Sequence, residues 1–436
     1  MKKVLSGVLA SVLALSLLAS CGDSKDKKGS QGDAGKTPEK QEQGDADTLE
    51  VEEGAELVYW PMWAETEPQG RVISEAIEAF SDKYDVDVEV NWAGGCDTRK
   101  TLQPALDAGE TIDLFDEDVE RVNVTWGEYL LDIQSMYDAS SLKGQQNETL
   151  ISLAKQLGGG SLKSVPYQPS TCVMMYSKNA FDKAGIEEVP ATWDEFLDAC
   201  QKLSDAGIIP LTTDDAYMAA FFGYFVDRVA GSETAYKVAG GDFSNPAVLE
   251  TAKVLEELVE KNYIDPRAAS NAFPVGQGNV ADGSVAMCMN GTWLPNEVKQ
   301  QTADDFKWGS FALPQIKPEG DGPESNNFGA QCFGINKDTE YPKATFALIT
   351  WLTSGEWDQK LADETLGVPM GKDATWPEPL QEAKAVIDNT TQRLNWAVDM
   401  ENDSNVNASI KENFAKLIDG SIDAQGFADN FAKIQK

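Results

Sequence analysis

Apolar residues in the first part of the chain switch repeatedly between two spacings. The run 56–60 is short and apolar, as in a strand, and residues 71–84 place apolar side chains at helical spacing. Alternating apolar positions at 86–92 then predict a second strand. A helix over 98–108 and a strand at 112–115 continue the series. This order of strand, helix, strand, helix, strand predicts an α/β fold with a mostly parallel sheet covered by helices on both faces.

The same alternation continues through the middle of the chain. Residues 172–176 form an apolar strand, and Thr192-Trp-Asp-Glu195 is a capping box that starts a helix. Asn245-Pro246 marks another helix start, with an N-cap residue followed by proline at the first helical position. Beyond residue 376 the spacing is helical throughout, so we expect only helices there, ending with one at 421–436.

One stretch joins an apolar strand to a helix and leaves an aromatic ring at the junction. Residues 284–289 are apolar, Asn290-Gly291 interrupts the run, and Trp293 stands where the next helix begins. Ligands of α/β proteins bind in crevices outside strand ends, which makes Trp293 a candidate ligand platform. The alternative is that the ring only packs in the core, because Trp is highly buried on average.

Length and charge limit the class of protein. At 436 residues the chain is too long for one ordinary core, so we expect two domains or lobes. It carries 36 Lys and Arg against 72 Asp and Glu, a net charge of −36. Binding to phosphates requires Lys and Arg, so nucleic acid and anionic membrane surfaces are poor partners for such a chain. The strongly negative charge is more consistent with a secreted or surface-exposed protein.

The N-terminus predicts the cellular location. Lys2-Lys3 precedes an apolar segment at 4–18, and Leu18-Ala-Ser-Cys21 resembles the lipobox of bacterial lipoproteins. Residues 1–20 are therefore expected to be a lipoprotein signal peptide, with Cys21 lipidated at the extracytoplasmic face of the cell membrane. A plain signal peptide with an incidental cysteine is the alternative. Residues 21–54 contain few large apolar side chains and are expected to form a disordered tether behind the lipidated cysteine.

Cysteine and histidine usage argues against several kinds of catalysis. Five cysteines follow Cys21, without the spacing of a metal site. Cys200 and Cys288 lie in apolar runs and are expected in the core, while the sequence leaves open whether Cys172 and Cys332 pair. The chain has no histidine, which excludes Ser-His-Asp and Cys-His catalytic sites and His-ligated metals. We expect no catalytic residue, metal or cofactor.

Several segments, taken together, resemble the family 1 extracellular solute-binding proteins, the sugar-binding components of bacterial ABC importers. Residues 175–197 and 282–293 are similar to the most diagnostic segments of that family. Weaker likenesses at 106–114, 311–314 and 333–355 follow in the same order and spacing. Each motif alone is modest, but the ordered set is specific.

The resemblance implies a two-lobed fold of the periplasmic-binding-protein type (type II), with the ligand in a cleft at the hinge. The first lobe is expected to comprise 55–163 and 328–367, and the second 164–327 and 368–436. Ligand binding closes such lobes by stabilising a closed state. The implied partners are a carbohydrate, expected to be an oligosaccharide, and the permease subunits of an ABC transporter. The chain is expected to be a monomer.

A sugar offers apolar faces and a belt of hydroxyl groups, so aromatic rings combined with carboxylates or amides are its physical complement. Loops after predicted strands, together with positions that match the family pattern, give the expected ligand contacts: Trp60, Trp63, Glu65, Asp116, Glu117, Tyr167, Gln168, Asp215, Tyr217, Trp293, Gln331, Trp396 and Asp399. For Trp60 and Trp396 the alternative is burial in the core. For Asp116 and Glu117 it is solvated surface.

Two other functions remain open at this point. An anchored glycoside hydrolase needs only two suitably spaced carboxylates, and this chain has many. A polyamine-binding protein of the same fold is the second alternative, since aromatic rings with carboxylates also bind cations.

Overall fold

The computed structural model describes residues 49–94 and 98–435. The signal peptide, Cys21, Cys96 and most of the expected tether lie outside these ranges. Among the described residues, no helix combines the length and apolarity that a membrane span requires.

The first part of the chain folds in the predicted order of strands and helices. Its elements are β1 (Glu56–Trp60), α1 (Pro68–Tyr84), β2 (Asp87–Val90), α2 (Thr98–Ala108), β3 (Leu114–Asp118), α3 (Gln134–Ala139) and α4 (Glu148–Leu157). Helix α1 begins with a proline and ends where Asp85 takes a left-handed conformation, with φ 56°. Its buried face consists of the apolar residues that gave the helical spacing.

The middle of the chain contains one long strand and a series of helices. Its elements are β4 (Ser164–Ser177), α5 (Lys178–Lys183), α6 (Trp193–Asp205), β5 (Ile209–Thr212), α7 (Met218–Ala230), α8 (Ser232–Ala239), α9 (Pro246–Glu260), α10 (Val275–Ala281), β6 (Val285–Gly291) and α11 (Leu294–Glu297). The predicted capping box at Thr192 and Glu195 is present, and Asn245 caps α9.

The last part of the chain contains strands as well as helices. One strand, Gln392–Leu394, lies beyond residue 376, so the prediction of only helices there was wrong. Its elements are β7 (Trp308–Phe311), β8 (Ser325–Ile335), α12 (Pro342–Leu352), α13 (Gly355–Thr365), α14 (Gln381–Asn389), β9 (Gln392–Leu394), α15 (Ser404–Ile418) and α16 (Ala424–Phe431). Strand β9 forms because it pairs in parallel with β8, Ser325 opposite Gln392. Pairing with a distant strand overrides the local helical spacing.

The strands form a mixed sheet in the order β2-β1-β3-β8-β4-β6-β5, with β7 beside β4 and β9 beside β8. Strand β1 is parallel to β2 and β3, and β5 is parallel to β6, as the helical crossovers require. Strands β4 and β8 are antiparallel to each other and to their other sheet neighbours in this order, β6 and β3. These two long strands connect the two parallel parts of the sheet.

Two large hydrophobic cores lie on either side of this connection. The first core draws its buried residues from 55–167 and 328–370, and the second from 172–313 and 394–431. Strand β4 contributes Tyr167 to the first core and Cys172 to the second, so the strand passes from one to the other within five positions. Strand β8 pairs with β4 across the same region.

The first described residues belong to this folded unit. Leu49 and Val51 pack against the first core. The carboxylate of Glu52 accepts the backbone N–H groups of Lys343 (2.9 Å) and Ala344 (2.7 Å), at the start of α12. These contacts place residues 49–54, which were expected in the tether, on the surface of the first core.

Four cysteines fall in the described ranges: Cys172, Cys200, Cys288 and Cys332. All are buried with free thiols. Cys172 and Cys332 therefore do not form the disulfide that the sequence left open.

Candidate ligand-binding site

The loop after β1 carries the first group of expected ligand contacts. Trp63 is half-buried, and its indole Nε1 donates a hydrogen bond of 2.7 Å to the hydroxyl of Tyr167 on β4. Trp60 is also half-buried and packs against the first core, whereas Glu65 is exposed in the loop. The edge of the Trp63 ring is thus held in place by a residue of the strand that passes between the cores.

Asp116 lies behind this loop and has no exposed surface. Its carboxylate accepts hydrogen bonds from the hydroxyl of Tyr59 (2.8 Å), the backbone N–H of Met62 (3.1 Å) and the hydroxyl of Tyr167. Burial raises the pKa of Asp116 to about 7, because these hydrogen bonds only partly offset the loss of hydration. In this arrangement Asp116 orients Tyr167, and through it Trp63, and its own oxygens are shielded from solvent.

Glu117 is likewise fully buried. Its carboxylate forms ion pairs with Arg99 Nε (2.5 Å) and Arg121 Nε (3.2 Å) and accepts the backbone N–H of Asp118. The structure thus places this expected contact inside an ion-pair network. A buried charge with two cationic partners anchors β3 to the elements beside it.

A second aromatic group forms at the end of β6. The indole Nε1 of Trp293 donates to the hydroxyl of Tyr217 at 3.0 Å, and the rings of Trp293 and Trp396 lie 5.8 Å apart. Tyr217 also meets Trp396 edge to face at 6.2 Å. A Cβ atom at Gly291 would lie 2.2 Å from the Trp293 ring, so only glycine lets the ring lie this close to the strand end.

The two aromatic groups adjoin the same short length of β4. Trp63 is bonded to Tyr167 on that strand, and Thr292, the neighbour of Trp293, donates its backbone N–H to the carbonyl of Thr171 at 3.1 Å. Four residues of strand span about 13 Å. The structure therefore brings Trp63 and Trp293 to neighbouring positions along β4, near the point where the strand passes from the first core to the second.

Two glutamines also lie at this connection. Gln168 has a left-handed backbone, φ 43°, at a register shift in β4, and its amide donates to the hydroxyl of Thr365 at 2.8 Å. Gln331 on β8 stands opposite Tyr167 and Asp118 in the sheet. Its Oε1 is shielded from solvent, and no described residue donates a hydrogen bond to it. That oxygen is a free acceptor beside the aromatic groups.

Asp215 is exposed, close to the second aromatic group. Its carboxylate accepts the backbone N–H of Phe273 at 2.9 Å, and its own N–H donates to the carbonyl of Asn271 at 3.0 Å. The residue therefore shapes the loop before α10.

A cavity of about 670 Å³ opens between segments of the two cores. Its lining residues come from two parts of the chain. Those in the first half are Asp118, Glu120, Arg121, Val124, Thr125, Leu153, Gln156 and Leu157, and those after β9 begins are Arg393, Asn395, Asp399 and Asn402. Glu120 and Arg393 form an ion pair of 2.8 Å across it, and Arg393 also donates to the carbonyl of Phe328 at 2.8 Å. The side chain of Glu120 is 34% exposed and that of Arg393 is 18% exposed.

The turn that follows β9 carries the last expected contacts. Trp396 donates through Nε1 to Glu401 at 2.9 Å, and Asp399 accepts from the amide of Asn395 at 3.1 Å. Residues 397–399 have left-handed φ values of 49–65°, which are strained for side chains other than glycine. This kinked turn sets Trp396 against the second aromatic group and Asp399 against the cavity.

Three residues near the site were not identified from the sequence. Glu120 and Arg393 form the ion pair across the cavity, and the ring of Phe273 lies 6.2 Å from that of Tyr217 with 47% of its surface exposed. Glu120 follows the acidic run after β3, which was a usable signal. No sequence signal pointed to Phe273 or Arg393, because an isolated phenylalanine is expected to be buried and a lone arginine is expected at the surface.

In the part of the chain that the structure describes, no cluster of three or more Cys, Asp or Glu side chains is arranged to hold a metal ion. A cavity of about 790 Å³ lies in the second half, between α5, β7 and α14, and none of the expected contacts line it.

The chain is similar to one known protein family and to individual binding proteins. The model of the family described as "Bacterial extracellular solute-binding protein" matches residues 63–359. A binding protein of Brucella abortus is 25% identical over 246 residues, which cover 54% of this chain and 57% of that protein. The diacetylchitobiose binding protein of Streptomyces coelicolor is 24% identical over 223 residues, 48% and 47% of the two chains. The chain thus spans about half the length of the curated relatives it matches.

Among solved structures, a chitin oligosaccharide binding protein superposes with a TM-score of 0.67. The alignment covers 87% of this chain and 98% of that one, at 18% sequence identity. This likeness confirms the expected two-lobed α/β fold.

Proposed function

The chain belongs to the bacterial extracellular solute-binding proteins, and from that premise we propose that it captures a carbohydrate between its two lobes for an ABC importer. The relatives whose names state a ligand include sugar-binding proteins, and the aromatic groups of this chain suit the same chemistry. The chain is a binding protein and not an enzyme. The hydrolase alternative is therefore set aside.

The observation that carries this proposal is the pair of tryptophans at the connection between the cores. Trp63 and Trp293 are each fixed at the ring edge by a tyrosine hydroxyl, at 2.7 and 3.0 Å. An edge fixed in this way leaves the apolar ring face to contact the C–H face of a sugar ring. The polar residues of the cavity supply partners for hydroxyl groups.

The expected energies are adequate for tight binding. Burying a fully exposed tryptophan removes on the order of 150–250 Å² from water, or roughly 4–6 kcal/mol at about 25 cal/mol per Å² before ordering costs. Trp63 and Trp293 are already half-buried, so each supplies only part of that energy. Two such rings with several hydrogen bonds can reach the −8 kcal/mol or so of a micromolar complex after those costs.

We assign 55–163 and 328–367 to the first lobe, and 164–327 and 368–436 to the second. The membership of the two hydrophobic cores supports this assignment, although β4 up to Tyr167 and also Met370 pack with the first core. In this proposal β4 and β8 form part of the hinge, and the carbohydrate stabilises the closed arrangement of the lobes.

The proposal also includes a lipid anchor at Cys21, which keeps a monomeric protein at the outer face of the cell membrane near its permease. The support is the lipobox-like sequence alone. Metabolic labelling with palmitate tests it: the wild-type protein should be labelled and fractionate with membranes, and C21A should be unlabelled and released.

A thermal-shift screen against mono- and oligosaccharides, with spermidine as a cation control, tests the ligand class. A ligand at 100 times its Kd should add about 2.7 kcal/mol to the free energy of unfolding. Stabilisation by a sugar that persists at high salt supports the proposal. Stabilisation by spermidine alone, lost on adding salt, would favour the polyamine alternative.

A further inference from the structure

The loop before α10 presents an aromatic ring to solvent. Among the described residues, the large apolar side chains that are exposed are Val124, Val189, Phe273 and Val275. Phe273 is the aromatic one among them, with 47% of its surface exposed, and it lies in this loop, whereas Val275 begins α10. An aromatic ring that is nearly half exposed offers a large apolar face to a ligand.

The loop is held at both ends by two adjacent carboxylates. Asp215 accepts the backbone N–H of Phe273 itself at 2.9 Å. Asp214 is buried and accepts the backbone N–H of Gln277 at 3.1 Å and that of Gly276. Hydrogen bonds to a carboxylate are stronger than those between neutral groups. The Phe273 ring is therefore displayed on a fixed backbone, which lowers the entropy cost of using it in binding.

The exposed ring continues the second aromatic group outward. The Phe273 ring lies 6.2 Å from that of Tyr217, at an angle of 50°. Tyr217 lies 6.2 Å from Trp396, which in turn lies 5.8 Å from Trp293. Four rings thus follow one another from the end of β6 to the edge of the loop. Tyr217 is largely buried, so Phe273 presents the accessible face at the outer end.

We infer that Phe273 is an outer contact that selects carbohydrates by chain length. This inference rests on the proposed function. One sugar unit would stack on Trp293 at the strand end, and a further unit of the same ligand would cover Phe273. A carbohydrate too short to reach the loop would gain nothing from the phenylalanine. Asp215, itself expected to contact the ligand, would then act as a positioning residue for the Phe273 backbone.

The test compares F273A with the wild-type protein on two length series, chitin oligosaccharides and maltooligosaccharides of two to six units. Titration calorimetry should show that F273A weakens binding of the longer members about three- to tenfold and leaves the shortest bound member unchanged. V275A is the matched control, because it removes a neighbouring exposed apolar side chain at the start of α10 and should leave every affinity unchanged. F273L, which keeps apolar volume without a ring, should retain only part of the length dependence.

The outcomes separate this inference from the proposed function. If the wild-type protein binds sugars and F273A loses the same factor at every length, or none, the inference is overturned and the proposed function stands. If the wild-type protein binds no member of a broad carbohydrate screen, the proposed function fails and the inference falls with it. Thermal unfolding of F273A at the wild-type temperature confirms that a lost affinity does not reflect a lost fold.

Discussion

The indole Nε1 of Trp63 donates a hydrogen bond of 2.7 Å to the hydroxyl of Tyr167, which lies 104 positions later in the chain. The hydroxyl in turn donates to the buried carboxylate of Asp116. A ring in a surface loop is thereby fixed to the strand that links the two lobes. The orientation of Trp63 and the position of that strand are thus mechanically connected.

Replacing Tyr167 with phenylalanine should loosen Trp63 without creating a large cavity. Y167F removes the acceptor of the indole N–H, so the ring loses its fixed orientation and carbohydrate affinity should fall about three- to tenfold. Titration calorimetry measures the change. Y59F is the matched control, because Tyr59 donates to the other oxygen of the Asp116 carboxylate and makes no hydrogen bond to Trp63. Equal losses in both variants would show that the Asp116 network, and not the link to Trp63, matters for binding.

Trp293→Ala should weaken carbohydrate binding by tenfold or more while the fold is retained. The ring is half-buried and stands at the end of β6, so its loss removes ligand contact and little core. Y217F is the partner variant, since it frees the indole edge but keeps the ring and should cost less. Unchanged affinity in titration calorimetry, with an unfolding temperature like that of the wild type, would remove Trp293 from the site.

The buried carboxylate of Asp116 should make stability depend on pH. Its pKa in the folded protein is raised to about 7, whereas an unfolded aspartate titrates near 3.9. The folded state therefore holds the proton more tightly, and this contribution is fully present below about pH 4 and is lost as the pH rises through about 7.

Asn at this position does not titrate, so the free energy of unfolding of D116N should fall less between pH 4.5 and 7.5 than that of the wild type. The expected difference is roughly 2–4 kcal/mol, measured by chemical denaturation. Asp227, whose pKa burial also raises to about 7, titrates in both proteins and cancels in the comparison. Parallel curves for the two proteins would show that Asp116 is already ionised at pH 4.5.

The ion pair between Glu120 and Arg393 should contribute to affinity by holding the two cavity walls together. A partly exposed pair of this kind is worth about 1 kcal/mol, so E120Q and R393Q should each weaken binding by up to about fivefold. Because both remove the same interaction, the double variant should be no weaker than the worse single variant. Losses that multiply in the double variant would mean that the two side chains contact the ligand separately.

Sequence patterns predicted the regular elements well where local spacing and burial agree. The first three strands, the capping box at Thr192 and the end of β6 at Gly291 all follow from local signals. Strand β9 was missed because its pairing partner lies about 65 positions away, between Asn327 and Leu394. No local pattern encodes such a contact.

The candidate site shows the same division. The aromatic residues were expected from strand ends and family-like positions, and Trp63 and Trp293 both lie at the connection between the cores. The acidic residues were harder, because Asp116 and Glu117 follow the predicted strand 112–115 but in the structure lie inside β3 and are fully buried. Whether a carboxylate faces solvent or a buried tyrosine depends on packing that brings together residues about 50 positions apart.

The interleaving of the lobes has a consequence for how the chain folds during synthesis. Strand β8 lies between β3 and β4 in the sheet, and Ser164 pairs with Gly334. A nascent chain that has not yet reached β8 lacks a central strand of its N-terminal core. Contacts between residues so far apart in sequence also form slowly. The first core therefore cannot be completed until β8, Ser325–Ile335, has been synthesised and has left the ribosome. For a chain of this extracellular family, we therefore expect the first core to remain incomplete, and the chain competent for export, during most of its synthesis.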